Sequence, residues 1–153
     1  MNKEEIIKKA FELPSLAARP EHFTNYNHCC ECKEHDEELL AHTPQTITRE
    51  ALGTMGWDPI TFTTDEGFRH YLPGMIRVVL TETGDQSYYE QFLWHVLGDR
   101  LEYKRMDICT EQEREVICDT LNYLLHNKSE EIEIECLTED LLNAIELLSC
   151  KVT

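Results

Sequence analysis

Apolar positions recur at helical spacing along most of the chain. From Lys3 to Leu13, residues Ile6, Ile7, Ala10 and Phe11 form the i, i+1, i+4, i+5 stripe of an amphipathic helix, and Pro14 stops it. Ser15 to Asn27 reads as loop, with Arg19-Pro20 held extended. A second helix is predicted from His28, through the charged run to Glu38, ending at Leu39, Leu40 and Ala41 before the Thr43-Pro44 break. Thr48 caps a short turn closed by Gly53, and Trp57-Asp58-Pro59 is a further turn, with Trp57 expected to anchor the core.

The clearest helix opens at the Thr63…Glu66 capping box. Its stripe is Phe68, Tyr71, Leu72, Met75, Ile76, Val79 and Leu80, and Pro73 inside it should kink it. The next helix carries Tyr88, Tyr89, Phe92, Leu93, Val96 and Leu97 and stops at Gly98. Residues 99–108 are charged and show no clear period. Thr110 and Glu113 form a second capping box, ahead of Val116, Ile117, Leu121, Leu124 and Leu125. Glu130 to Glu135 alternates like a strand but has no visible mate, so it reads as a connector or helix end. Thr138 caps a last helix with Leu141, Leu142, Ile145 and Leu148 inward. The expected fold is all-α: one domain over residues 1–153, a bundle of about six helices with one kinked at Pro73.

Charge narrows the function. The 153 residues hold 14 Lys and Arg against 30 Asp and Glu, a net charge of −16. Such a surface repels phosphate backbones, which argues against direct binding of nucleic acid or an anionic membrane and for attraction of a basic protein or a cation. No run approaches the ~20 apolar residues of a spanning helix. The charged N-terminal segment has no apolar core of signal-peptide type, so a cytoplasmic location is expected.

In a reducing compartment the odd count of seven cysteines argues against a disulfide framework. Cys109, Cys118, Cys136 and Cys150 stand singly and read as small buried hydrophobes. Cys29, Cys30 and Cys32 are clustered with His28 and His35. Zinc takes four tetrahedral nitrogen or sulfur ligands, and Cys29 and Cys32 have the CxxC spacing of half such a site. The candidate ligands are His28, Cys29, Cys32 and His35, with His22 as a further donor; His28, Cys32 and His35 would share one helical face. Two other readings stand beside this one. Cys29, Cys32, Asp36, Leu39 and Leu40 also form a core stripe, and a reactive thiol is open to His28 or His35 as base. The acids Glu31, Glu34 and Asp36 should oppose thiol ionisation, which ranks the nucleophile last.

The pattern His28-Cys29-x-Glu31-Cys32-x-Glu34-His35-Asp36, then Trp57-Asp58-Pro59, then Phe68-x-x-Tyr71-Leu72-Pro73 resembles a family of small bacterial cytoplasmic proteins of uncharacterised activity, over roughly residues 18 to 80. The resemblance implies a bacterial source, with Cys29, Cys32 and Pro73 as pattern positions, and carries no activity.

No constellation of catalytic residues emerges. His70, His95 and His126 read as partly exposed surface histidines, and at least one of Trp94 and His95 should be exposed. The charge of −16 exceeds the magnitude of ~2–8 that solubility needs in a small domain. The expected function is therefore that of an acidic, non-enzymatic inhibitor of immunity or antitoxin type. It would neutralise a basic toxin such as a nuclease through Trp94 and the acids Glu130, Glu131, Glu133 and Glu135. The alternative is a zinc-binding protein, structural or hydrolytic, built on His28, Cys29, Cys32 and His35.

Overall fold

The computed structural model describes residues 1–98 and 104–151. It is all-α, and among the described residues it has eight α-helices and no named strand. These are α1 (Lys3–Phe11), α2 (Cys30–Leu40), α3 (Asp65–Thr81), α4 (Tyr89–Leu97), α5 (Arg105–Ile108), α6 (Glu111–Asn127), α7 (Ser129–Ile134) and α8 (Thr138–Leu147). Short 3₁₀ turns at Pro14–Leu16, Pro59–Phe62 and Gly84–Gln86 connect them. The expectation of about six helices undercounts because α5 and α7 are too short to show a period. In α7, Ile132 is buried while Ile134 is 82% exposed. The alternating segment is thus a helix with a single inward apolar residue.

The bent α3 is the centre of the bundle, packed against α1, α4 and α6, with α8 closing over α4 and α6. Its whole expected stripe is buried. Its N-cap is Thr64, one residue later than expected, with Thr64 Oγ1 accepting the Gly67 N–H. Pro73 lies within α3 and has no N–H for the carbonyl of Arg69. The Ser15 hydroxyl supplies the missing donor, bonding Arg69 O at 3.2 Å. A loop residue thereby repairs the helix at the proline and pins the Pro14–Leu16 turn to it.

Other expectations need correction. Cys118 and Cys150 are not buried free thiols but a disulfide joining α6 to the segment after α8, and Cys136 is exposed. Cys109 is buried as expected, and burial pushes its thiol up to about 12. Trp57 does not anchor the core, being 46% exposed; the neighbouring Asp58 and Pro59 are buried instead. Gly53 (φ +72°) is required there, because a Cβ would lie 1.9 Å from the Trp57 carbonyl oxygen. Leu142 of α8 is half-exposed. His70 and His95 are buried, not superficial, whereas His126 is exposed.

A candidate metal and thiol centre

Helix α2 lies against the Pro59–Phe62 turn and is fixed by side-chain bonds along its inner face. The Asp36 carboxylate accepts the backbone N–H groups of Phe23 (2.6 Å) and Thr24 (3.2 Å). The Thr24 hydroxyl donates to the Cys32 carbonyl at 2.6 Å, and the Tyr71 hydroxyl of α3 donates to the Leu39 carbonyl. These contacts turn Cys32, His35, Asp36 and Leu39 inward and leave the start of the helix facing solvent.

Cys29 is the N-cap of α2. Its Sγ accepts the Cys32 backbone N–H at 3.4 Å, as a Ser or Asp oxygen does in an ordinary cap. This cap brings the two sulfurs together, with Cys29 Sγ and Cys32 Sγ 3.3 Å apart. His28 Nδ1 stands 3.7 Å from Cys32 Sγ. The three donor atoms lie within 4.8 Å of one another. Two thiols and one imidazole of the expected ligand set therefore converge.

The other predicted and suggested ligands do not join them. His35 is buried beneath Trp57 and Phe62, each ring 4.4 Å from its own, and its Nε2 has no hydrogen-bond partner among the described residues. The Glu31 carboxylate is 3.8 Å away, beyond hydrogen-bond reach. Burial holds His35 below the ordinary histidine value. His22 Nδ1 pairs with Asp36 Oδ2 at 2.7 Å and its ring stacks on Tyr26. This pairing had no signal in the sequence, since the two residues are 14 apart and meet only because Asp36 caps the incoming loop.

The two thiols differ electrostatically. The backbone N–H of Cys32, its thiol and the nearby His28 together lower the Cys29 thiol to about 7. The Cys32 thiol is raised, first because it donates to Cys29 and then by burial. The expectation that neighbouring acids keep both thiols protonated fails for Cys29. The helix N-terminus supplies partial positive charge directly at its sulfur, while the acids project from the following turns.

A second polar group is buried at Asp58. Its carboxylate accepts the Ile60 N–H (2.9 Å) and the Gln91 amide (3.1 Å), and lies 2.8 Å from His95 Nε2. Burial pushes this carboxyl up, but His95, Gln91 and the Ile60 N–H outweigh it and hold the group below its usual value. Arg49 clamps Gln91 in turn at 2.7 Å. This buried network pins the 59–62 turn to α4.

The expected partner-binding residues are divided. Glu130 and Glu133 are exposed on α7. Glu131 accepts the Tyr89 hydroxyl (2.6 Å) and Lys128 (3.2 Å), and Glu135 accepts the Ser87 hydroxyl at 2.8 Å. Trp94 is half-buried on α4 and His95 is buried, so neither is fully exposed. A cavity of about 770 Å³ lies beside the Cys118–Cys150 disulfide, and its lining excludes the His28–Cys32 cluster.

Compared with known proteins, the chain matches no family, no curated protein and no solved structure. Among the described residues, no helix is long and apolar enough to cross a membrane.

Proposed function

We propose that the chain is a zinc-binding protein whose ion is held at the surface by His28 Nδ1, Cys29 Sγ and Cys32 Sγ. The convergence of these three donors within 4.8 Å carries the reading. Around a tetrahedral zinc, two sulfurs sit about 3.8 Å apart and a sulfur and nitrogen about 3.5 Å apart, given metal bonds of roughly 2.3 and 2.0 Å. The 3.3 and 3.7 Å separations here are close to those edges. The donor chemistry suits a borderline-soft cation, and Cys29 ionises readily at neutral pH. Three protein ligands leave the fourth position to water or a ligand. With His28 and Cys29 exposed, the ion is exchangeable, not a sealed structural centre.

The test is titration of metal-free, reduced protein with zinc against a chromophoric chelator. One equivalent is expected to bind with at least micromolar affinity. Cys29→Ser and Cys32→Ser should each weaken binding at least a hundredfold, whereas His35→Phe should leave it unchanged. Absence of stoichiometric binding, or equal loss from His35→Phe, sinks the proposal.

A second reading is capture of a basic protein, as an inhibitor of immunity type, and a feature of the arginines favours it. Arg49, Arg77 and Arg114 direct their guanidinium groups to backbone carbonyls: Ser87 and Gly53, Pro44 and Ile47, and Met106. Arg105 likewise reaches Ile60 and Thr63. Guanidinium groups turned to carbonyls are not held against surface carboxylates such as Glu130 and Glu133, which have no ion-pair partner among the described residues, and the net negative field would steer a cationic partner.

A further inference from the structure

We propose that Cys29 and Cys32 are also a thiol–disulfide exchange pair, Cys29 attacking and Cys32 resolving, with disulfides as the substrate class. The proposal uses two of the residues of the metal reading but does not need the metal.

Three geometric facts carry it. The sulfurs are 3.3 Å apart, so closing them to a bond of ~2.05 Å needs a movement of only about 1.2 Å. The pair is asymmetric: Cys29 is exposed at the helix N-cap, while Cys32 is 8% exposed in the first turn behind it. An incoming disulfide reaches Cys29 first, and the resulting mixed disulfide lies directly in front of Cys32. Finally, the Cys32 N–H points at Cys29 Sγ, a donor that stabilises charge on the attacking sulfur.

With a low-molecular-weight disulfide such as glutathione disulfide as oxidant, the steps balance. The Cys29 thiolate attacks one sulfur of the oxidant. The sulfur–sulfur bond breaks, and one glutathione leaves as thiolate with the electron pair and takes up a proton. Cys32 then gives its proton to His28 Nδ1, 3.7 Å away. Its sulfur attacks Cys29 Sγ and expels the second glutathione, which collects that proton. Two cysteine thiols are oxidised by two electrons, and one disulfide is reduced to two thiols.

The nearby Cys30 and the distant Cys136 are also exposed thiols, and they serve as internal controls. Metal-free protein, with Cys29 and Cys32 reduced, is incubated with glutathione disulfide in excess chelator, quenched by alkylation and mapped by mass spectrometry. Wild type should acquire a Cys29–Cys32 disulfide, two hydrogens lighter, at least tenfold faster than Cys136 acquires glutathione. Cys32→Ser should stop at one glutathione on Cys29. His28→Gln should slow the attack by Cys29 somewhat, and the second step, which loses its proton acceptor, by more, so that adduct accumulates. The proposal is overturned if Cys29 reacts no faster than Cys136, if Cys32→Ser yields the adduct on Cys30 instead, or if wild type remains glutathionylated. Because chelator is present throughout, failure here leaves the zinc reading standing, and failure of zinc titration leaves this one standing.

Discussion

His35 and Cys29 show how far burial and a neighbouring backbone outweigh residue identity. Both stand in the same nine-residue run from His28 to Asp36. One turns inward, stacks on Phe62 with Trp57 tilted against it, and has no hydrogen-bond partner for its Nε2 among the described residues. The other caps the helix and becomes the more acidic thiol. The buried imidazole has a consequence for acid stability. Its value in the fold is depressed, whereas in the unfolded chain it takes a proton near pH 6.5. The unfolded state therefore binds more protons below that pH, and stability present above it is lost as the pH falls. His35→Phe removes the titrating group and the orphaned nitrogen while keeping an aromatic ring. The variant should stay within about 1 kcal/mol of wild type at pH 7.5. Its melting temperature should fall less between pH 7 and pH 5, measured by circular dichroism. An unchanged or steeper fall would remove His35 from the account. The run's chemistry was legible in its residue types, and its division into surface donors and core was not, because a helical wheel cannot say which face the 59–62 turn will cover.

Among the elements, α3 was the most legible and α2 the least. The apolar stripe of α3 runs from Phe68 to Leu80 and is buried throughout, since a central helix hides one long face whatever packs on it. Its proline needed a donor from elsewhere, and the sequence offered no hint that Ser15 is that donor. Ser15→Ala should cost about 1 kcal/mol by leaving the Arg69 carbonyl without its hydroxyl partner. In a Pro73→Ala background, where the helix supplies its own N–H, the same change should cost markedly less. Chemical denaturation of the four proteins of this double-mutant cycle measures the difference, and simple additivity would refute the repair. Capping signals located helix starts to within a residue, yet the acidic half of one box was recruited elsewhere. Glu113, three residues after the N-cap Thr110, is buried in an ion pair with Arg69 of α3 at 2.7 Å instead of closing its own box. In α2 the N-cap is a cysteine, outside the usual capping residues, so periodicity alone placed the helix and its start came out two residues early.

Over the whole molecule, the decisive quantity for partners is the charge of −16. If it steers a basic protein, affinity for that protein recovered from native extract should drop at least tenfold between 50 and 300 mM salt. Glu130→Gln with Glu133→Gln should weaken it at low salt, because these two acids have no side-chain partner to lose among the described residues. A partner indifferent to both changes would count against the electrostatic reading. Composition and periodicity alone settled the helical class, the long stripes of α3, α4 and α6 and the excess of carboxylates, since each is a local or additive property of the chain. Folding decided what depends on residues far apart in sequence. Cys118 met Cys150 across a separation of 32, Asp36 captured His22, and the arginines turned to carbonyl oxygens. Above all, folding split the cysteine cluster into an exposed cap and a buried neighbour with His28 beside them, because only packed neighbours fix which way a side chain points and how much water it keeps.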